Sequence, residues 1–286
     1  MSATGGMGPL VGPSALAARL GEPGLLVLDV RLAVDGGRAT YEAGHVPGAV
    51  YSDYAADGWR ARIGGAPGLL PPVEHLSLLL GRLGFRPDHS VVIVPAGTSA
   101  NDLAASARVY WTLRTVGHEA VSILDGGFIG WSADPARPVE TGWREPEPAG
   151  AYPISLQEIF RATTVHAEAA LTSGNTAFVD ARSASYFEGR EKAPEALRAG
   201  RLPGAVSRDY ADLFDVARHG LKPKADLERS FADFLERPVI SYCNTGHTAA
   251  LNWFVLSELL GNGEVRLYDG SMTDWTQDAT RPVEKG

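Results

Sequence analysis

The chain has 286 residues, of which 44% are hydrophobic, and its formal net charge is −8. This length allows two domains of ordinary size, and the scattered charges include no Lys/Arg run typical of nucleic-acid binding. No apolar stretch approaches the roughly 18 residues of a membrane span, and the single cysteine excludes an internal disulfide. These features predict a soluble cytoplasmic protein with neither a nucleic-acid nor a membrane partner.

The residues from Met1 to Pro13 are small and rich in Gly and Pro. They lack both the charged region and the apolar region of a signal peptide. We therefore expect this segment to be a flexible lead-in and not a signal peptide.

Short apolar runs then alternate with segments of helical period. The predicted strands are Leu25–Val30, Val91–Val94, Val121–Leu124, Phe178–Asp180, Val239–Tyr242 and Val265–Tyr268. The predicted helices include Val73–Leu83, Ala104–Val116 and Leu251–Leu260. Continuous apolar runs are typical of parallel strands covered on both faces, and strand–helix alternation favours an α/β fold. We expect mainly parallel sheets flanked by helices.

The chain also repeats itself. From Asp125-Gly126 to Glu140 there are eight identities with the segment from Asp269-Gly270 to Glu284, which lies 144 residues further on. Gly44–Val50 likewise parallels Gly200–Val206. A repeat this long indicates duplicated domains, so we predict domains at 8–140 and 153–286 joined by a Pro-rich linker at 141–152. The tryptophans of both copies are expected in the cores: Trp111, Trp131, Trp253 and Trp275.

The strongest chemical signal is a short polar loop between an apolar strand and a helix. The strand ends directly at Cys243, and the helix is predicted to begin near Thr248. Between them lie Asn244, Thr245, Gly246 and His247. In such a loop successive backbone N–H groups can point inward and bind an anion, which favours a thiolate or a terminal persulfide. The alternative is that Cys243 is a small buried hydrophobic residue.

In the order and duplication of these motifs, the chain resembles the tandem-domain rhodanese family, which includes thiosulfate and 3-mercaptopyruvate sulfurtransferases. The resemblance rests on the Asp-x-Arg strand ends, the His-Val-Pro-Gly-Ala and Leu-Pro-Gly-Ala turns, the Cys-x-x-Gly-x-Thr loop and the Asp-Gly pairs followed by tryptophan. It implies two tandem rhodanese-like domains. The first is expected to be inactive, because its corresponding loop, Pro95 to Asn101, has no cysteine.

The resemblance also implies a mechanism and its residues. Cys243 would take the outer sulfur of thiosulfate or 3-mercaptopyruvate as a persulfide and pass it to a thiophilic acceptor such as cyanide, with no cofactor or metal. The loop from Asn244 to Thr248 would hold the persulfide through its amides and the hydroxyls of Thr245 and Thr248.

Three further residues are candidates for binding the donor. Arg182 stands at the position of a substrate-binding arginine, with an ion pair to the supporting residue Asp180 as the alternative. Arg190 is a candidate because Glu188 replaces a family arginine. His45 matches a family histidine, for which a structural role is equally expected.

Some alternatives stay open from the sequence. The loop carries no permanent charge, so the donor is undecided, and His247 either makes donor binding pH-sensitive or points to solvent. A cysteine phosphatase needs Cys-x5-Arg, but the sixth residue after Cys243 is Ala249, which argues against that class. A sulfur-relay or redox-sensing module loaded by a protein partner is the alternative function, and a protein thiol is an alternative acceptor.

Overall fold

The structure, a computed structural model, describes residues 7–286. The first six residues of the predicted lead-in lie outside this range. Two compact units form, and each is discontinuous in sequence. The first contains the residues up to Trp59, Pro71–Leu156 and Phe214–Leu221; the second contains Arg60–Leu70, Gln157–Leu213 and Lys222–Gly286. Each unit therefore includes a short segment from the other half of the sequence, an exchange that the predicted domain boundaries do not contain.

Strands and helices alternate through the first half of the chain. The strands are β1 (Leu10–Val11), β2 (Leu25–Asp29), β3 (Val50–Tyr51), β4 (Ala61–Ile63), β5 (Ala66–Leu69), β6 (Ser90–Val94) and β7 (Val121–Leu124). The helices are α1 (Pro13–Ala17), α2 (Gly37–Ala43), α3 (Val73–Arg82), α4 (Ala100–Thr115) and α5 (Gly127–Ser132). A 3-10 turn spans Ala33–Asp35.

The second half repeats this alternation. Its strands are β8 (Arg161–Ala162), β9 (Ala177–Asp180), β10 (Val206–Ser207), β11 (Phe214–Asp215), β12 (Gly220–Leu221), β13 (Val239–Tyr242) and β14 (Val265–Tyr268). Its helices are α6 (Thr164–Ser173), α7 (Ala184–Phe187), α8 (Lys224–Ser230), α9 (Ala249–Trp253), which continues as a π-helical segment (Phe254–Leu259), and α10 (Ser271–Trp275). Within residues 7–286 no helix combines the length and apolar character needed to cross a membrane.

Each unit is built on a parallel sheet. The strand order is β1-β7-β6-β2-β3 in the first and β10-β9-β13-β14-β8 in the second. In the first unit Asp29 pairs with Val94 at the carboxyl ends of β2 and β6, and in the second Asp180 pairs with Tyr242 at the ends of β9 and β13. The predicted α/β fold with parallel sheets and flanking helices is confirmed. Two small antiparallel hairpins, β4–β5 and β11–β12, stand apart from the sheets.

The expectation of a flexible lead-in is wrong for the residues near Pro13. Leu10 pairs in parallel with Ile123 of β7, and Pro13 begins α1. The hydroxyl of Ser122 donates a hydrogen bond to the carbonyl of Gly8 at 2.7 Å. The Gly/Pro-rich composition suggested flexibility, but two apolar residues suffice for an edge strand when a neighbouring strand offers unpaired backbone groups.

Residues 141–152 contain no helix or strand, which is consistent with a Pro-rich connection. They nevertheless run along the first unit. Ala149 donates its N–H to the carbonyl of Gly81 at 2.8 Å, and Tyr152 donates to Ser77 at 3.0 Å. The Tyr152 side chain is buried. This segment is therefore ordered by backbone hydrogen bonds rather than by its own secondary structure.

The four tryptophans predicted to lie in the cores are fully buried. Trp131 and Trp275, the repeat-related pair, each donate the indole N–H to a proline carbonyl, of Pro138 and of Pro282, at 2.9 Å. Because the repeated Arg-Pro-Val-Glu segment follows each tryptophan, this hydrogen bond accounts for part of the sequence identity between the two copies.

Replacement of Trp275 by alanine should lower the free energy of unfolding by about 3–5 kcal/mol, since it leaves a large cavity and an unpaired carbonyl. Urea unfolding followed by circular dichroism measures the change. Trp143→Ala is the matched control, because Trp143 is 40% exposed and stacks on Arg38, so we expect a loss below about 1 kcal/mol. Equal losses in the two variants would contradict the assignment of Trp275 to the core.

Candidate active site

Cys243 follows directly after β13, which lies between β9 and β14 in the sheet of the second unit. All four residues of β13 are buried, Cys243 is 2% exposed, and α9 begins at Ala249. The predicted order of strand, short loop and helix is confirmed. The loop thus lies at the carboxyl edge of a parallel sheet, where open α/β sheets bind ligands.

The first turn of α10 holds this loop by its carbonyl groups. Met272 donates its N–H to the Cys243 carbonyl at 3.1 Å, and Thr273 donates to the Asn244 carbonyl at 3.0 Å. In a planar trans peptide the carbonyl and the following N–H point in opposite directions. The N–H groups of Asn244 and Thr245 therefore point away from α10. Across residues 7–286 neither of them donates to a protein acceptor.

Ser271 supports the loop from below with its side chain. Its hydroxyl oxygen accepts the N–H groups of Cys243 at 3.0 Å and Gly246 at 3.1 Å, and it donates to the Tyr268 carbonyl at 2.7 Å. The same oxygen lies 4.0 Å from the Cys243 sulfur. Ser271 has a φ of +50°, a left-handed conformation that is unfavourable for a residue other than glycine. The surrounding hydrogen bonds compensate for this strain.

Arg182 forms most of its hydrogen bonds with Asp180. Its Nε donates to Asp180 Oδ1 at 2.9 Å, and one terminal nitrogen donates to the Gly200 carbonyl at 2.9 Å. Burial opposes the charge of Arg182, but the hydrogen bond and ion pair with Asp180 raise its pKa, so the guanidinium stays charged. Its other terminal nitrogen reaches Oδ1 of Asn244 at 3.4 Å. Arg182 thereby connects the end of β9 to the cysteine loop.

The first unit, which has no cysteine, contains the same arrangement of an arginine bonded to an aspartate and to a glycine carbonyl. Arg31 donates its Nε to Asp29 at 3.0 Å and a terminal nitrogen to the Gly44 carbonyl at 2.7 Å. The Asp-x-Arg pair is therefore an architectural feature of both units. What distinguishes Arg182 is its contact with Asn244. A direct role of Arg182 in binding the donor stays a prediction.

The other predicted residues have different surroundings. Thr245, His247 and Thr248 are partly exposed along the loop. The Arg190 side chain is 63% exposed and forms an ion pair with Glu188 rather than with a residue of the cysteine loop.

His45 lies in the first unit and is buried there. Its Nδ1 is 2.9 Å from the Tyr41 carbonyl and its ring stacks on that of Tyr41, with 4.0 Å between centroids. Its contacts are those of a packing residue, and its role toward the donor, like that of Arg190, stays a prediction.

The corresponding loop of the first unit is held in the same way. Phe128 donates its N–H to the Pro95 carbonyl at 2.8 Å, and Ile129 donates to the Ala96 carbonyl at 3.0 Å. Pro95 thus occupies the position of Cys243. Gly127 occupies the position of Ser271, and a Cβ there would lie 2.6 Å from the Gly97 nitrogen. This loop leaves no room for a serine beneath it.

A carboxyl group of the protein itself fills the loop of the first unit. Asp102, in the first turn of α4, accepts the N–H groups of Ala96 at 3.0 Å and Gly97 at 2.7 Å. By peptide planarity these are the counterparts of the N–H groups of Asn244 and Thr245. Burial raises the pKa of Asp102 to about 7, although the backbone N–H groups favour the charged form. Asp102 therefore occupies the anion-binding position of this loop.

Sequence reasoning missed both Ser271 and Asp102. For Ser271 a signal existed, because the repeat places it opposite Gly127 in otherwise matched Asp-Gly segments. For Asp102 no local pattern distinguishes a carboxylate that folds back on its loop from one that faces solvent at a helix start.

Away from the loop, a cavity of about 460 Å³ opens at the amino-terminal edge of the second sheet, where Val239 and Arg266 line it. Cys243 lies at the opposite, carboxyl edge of this sheet, and none of the loop residues lines the cavity. Within residues 7–286 no three His, Cys, Asp or Glu side chains are grouped so as to hold a metal ion.

Comparison with known proteins places this geometry among sulfurtransferases. The rhodanese-like domain pattern matches residues 12–134 and 163–278. A thiosulfate sulfurtransferase of Corynebacterium glutamicum is 33% identical over 295 residues, covering 97% of this chain and 90% of that protein. A probable 3-mercaptopyruvate sulfurtransferase of Pseudomonas aeruginosa is 36% identical over 282 residues, covering 95% and 96%. The solved structure of SseA from Escherichia coli, a 3-mercaptopyruvate sulfotransferase, matches with a TM-score of 0.77 and 28% identity, covering 93% and 99%.

Replacement of Ser271 by alanine should cost about 1–3 kcal/mol of stability and slow the alkylation of Cys243 by iodoacetamide, because two buried N–H groups lose their acceptor. Fluorescence-monitored unfolding and a stopped alkylation assay measure the two effects. Ser122→Ala removes a partly buried side-chain hydrogen bond in the first unit and should leave alkylation unchanged. Alkylation of the Ser271 variant at the wild-type rate would contradict the supporting role of this hydroxyl.

Asp102 should make stability depend on pH. Its pKa is raised in the folded state, so between about pH 4 and about pH 7 the folded state binds more protons than the unfolded state. Stability should therefore decrease as the pH rises through this window and level off above it. The measurement is the free energy of unfolding in urea at several pH values, with Asp102→Asn as the comparison. A wild-type profile as steep as that of the Asn variant would argue against the assignment.

Proposed function

The chain belongs to the rhodanese family, and from this membership we propose that it is a sulfurtransferase that moves sulfane sulfur from thiosulfate to a thiophilic acceptor such as cyanide. 3-Mercaptopyruvate is the second candidate donor, since relatives of both names cover nearly the whole chain. In this proposal the sulfur is carried as a persulfide on Cys243. The first unit, whose loop has Pro95 at the position of the cysteine, is structural.

One observation carries the proposal. The two loops are held by the same pair of backbone hydrogen bonds from the helix after the Asp-Gly turn. They differ in which groups lie opposite their inward-pointing N–H groups. In the first unit the carboxyl of Asp102 accepts two of these groups. In the second unit the equivalent groups, of Asn244 and Thr245, follow a cysteine and have no acceptor within the described residues 7–286. The first loop is thus filled by a carboxyl group of the protein itself, whereas the second is arranged to accept an anion attached to Cys243.

The chemistry follows in two displacements. The Cys243 thiolate attacks the outer sulfur of thiosulfate, the sulfur–sulfur bond of the donor breaks, and sulfite leaves with the electron pair. The persulfide that remains carries its negative charge on the terminal sulfur, toward the N–H groups of Asn244 and Thr245. Cyanide then attacks this terminal sulfur, thiocyanate leaves, and the Cys243 thiolate is regenerated. No external oxidant or reductant is required, and the cycle is of the ping-pong type.

With 3-mercaptopyruvate the same thiolate would attack the donor sulfur, and the carbon–sulfur bond would break with its electron pair going to carbon. The leaving group is the enolate of pyruvate, which takes up the proton of the donor thiol to give pyruvate. The choice between donors depends on charge near the loop. Arg182 is neutralised by Asp180, and Arg190 is paired with Glu188, so His247 is the loop residue whose protonation would favour a dianionic donor. The acceptor in the cell is a small thiophile or a protein thiol.

The test is steady-state transfer of sulfur to cyanide, read as thiocyanate, with thiosulfate and 3-mercaptopyruvate supplied separately. We expect turnover with one donor, and its complete loss in Cys243→Ala, because the nucleophile is removed. Cys243→Ser is the matched variant, since it keeps the size of the side chain and should be equally inactive.

Turnover that survives in either variant would refute the persulfide mechanism. Absence of wild-type turnover with both donors, together with a mass increase of about 32 Da on Cys243, equal to one sulfur atom, would instead indicate a relay module loaded by a protein.

A further inference from the structure

The hairpin β4–β5 comes from the first half of the chain but belongs to the compact unit that contains Cys243. Its two strands pair antiparallel, with Ala61 opposite Leu69 and Ile63 opposite Ala66. No part of the repeat-based alignment assigns a role to this segment. Within the second unit it contacts the cysteine loop and the Asp-Gly turn that precedes α10, and its Arg62 also forms an exposed ion pair with Glu195 at 3.5 Å.

Gly68 is the hairpin residue that lies against the cysteine loop. A Cβ placed on Gly68 would lie 2.2 Å from the Thr245 carbonyl oxygen and 2.8 Å from the Thr245 Cβ. The φ of Gly68 is +93°, a conformation that other residues rarely adopt. Backbone therefore packs directly on backbone here, and glycine is required both by the conformation and by the distance. The hairpin limits the position of Thr245, one of the two residues whose N–H groups have no acceptor within residues 7–286.

A buried acid anchors the end of the hairpin to the base of the site. Leu70 donates its N–H to Oδ2 of Asp269 at 2.6 Å. Arg161 holds the same carboxylate, with Nε 3.1 Å from Oδ1 and a terminal nitrogen 3.0 Å from Oδ2. The Thr273 hydroxyl donates to the Gly270 carbonyl at 3.0 Å, and its oxygen lies 3.5 Å from the Pro67 carbonyl oxygen. The turn that holds the loop carbonyls is thus also the turn that binds the hairpin.

The first unit contains an equivalent hairpin, which packs on a loop that has no cysteine. Hairpin β11–β12 contributes Gly220, where a Cβ would lie 2.5 Å from Oδ1 of Asp125 and 3.1 Å from the Gly126 nitrogen. The neighbouring His219 places Nδ1 3.0 Å from the Gly97 carbonyl oxygen. Each unit therefore has a hairpin packed on its Asp-Gly turn and its loop, and only one of the two loops carries a cysteine.

We propose that hairpin β4–β5 is a positioning element of the sulfur-transfer site, which acts by holding Thr245 and Asp269 so that the loop N–H groups stay directed at the sulfur on Cys243. This role rests on the proposed function where turnover is concerned. It also makes a statement about the reactivity of Cys243 that does not depend on the identity of the donor. Gly68 itself touches no reacting atom and acts through Thr245.

The experiment compares Gly68→Ala with Gly220→Ala in the full-length chain. The added methyl group in Gly68→Ala should displace Thr245, lower kcat for thiosulfate–cyanide transfer by about tenfold or more and leave KM within about threefold. It should also move the pH midpoint of Cys243 alkylation by iodoacetamide upward by about half a unit or more, because the loop amides stabilise the thiolate less well. Gly220→Ala should change neither quantity, even where it lowers the melting temperature by a similar amount.

A second pair of variants covers the case in which Gly68→Ala does not fold. Asp269→Asn weakens the anchor of Leu70 without adding an atom in the backbone contact, and Asp125→Asn is its counterpart in the first unit. We expect the first of these to reduce kcat and shift the alkylation profile, and the second to do neither.

The proposal is overturned if the folded Gly68 and Asp269 variants match the wild type in both readouts, or if the first-unit variants show the same losses. Wild-type protein that turns over neither donor would refute the sulfurtransferase function alone. In that case an alkylation profile shifted only by the second-unit variants would still support the positioning role.

Discussion

Everything at the site depends on two backbone hydrogen bonds, from Met272 and Thr273 of α10 to the carbonyls of Cys243 and Asn244. They determine which way two peptide planes face, and so which way the next two N–H groups point. No charged side chain is needed to create the anion-binding position, because the dipoles of the main chain supply it. The Ser271 hydroxyl then accepts the N–H groups of Cys243 and Gly246, whereas those of Asn244 and Thr245 have no acceptor among residues 7–286.

The two units show what this backbone arrangement does and does not determine. In both units the loop carbonyls accept two N–H groups from the helix after the Asp-Gly turn. Both units also have an Asp-x-Arg hydrogen-bonded pair and a glycine-containing hairpin packed nearby. They differ in the presence of Asp102 and at the loop and the residue that supports it: Ser271 against Gly127, Cys243 against Pro95, Asn244 against Ala96 and Thr245 against Gly97. Features common to both units are therefore architectural, and the chemistry is assigned to the few positions at which the units differ. The Arg182–Asp180 pair has a counterpart in Arg31–Asp29, so its contacts with the strand ends are architectural, and a role of Arg182 in binding the donor stays a prediction.

Much of this could be predicted from the sequence, because the relevant signals are local. The apolar runs of β6 and β13 identify buried parallel strands, and the position of Cys243 directly after a strand identifies the loop. What could not be predicted depends on contacts between distant residues. The Leu70–Asp269 hydrogen bond joins residues far apart in sequence, and the pairing of Leu10 with β7 gives a role to a segment whose composition suggested none. The strained φ of Ser271 likewise follows from hydrogen bonds that only the folded chain makes.

The Asp102 carboxyl also bears on how a duplicated enzyme evolves. A loop whose inward N–H groups are satisfied by an internal acid does not need a bound substrate to be stable. Once such an acid is in place, mutation of the nucleophile in that copy removes activity without unfolding the domain. The copy then escapes selection for catalysis while selection for folding continues. One half of a gene duplication is thereby free to drift toward a purely supporting role, and the intermediates along that route remain viable proteins.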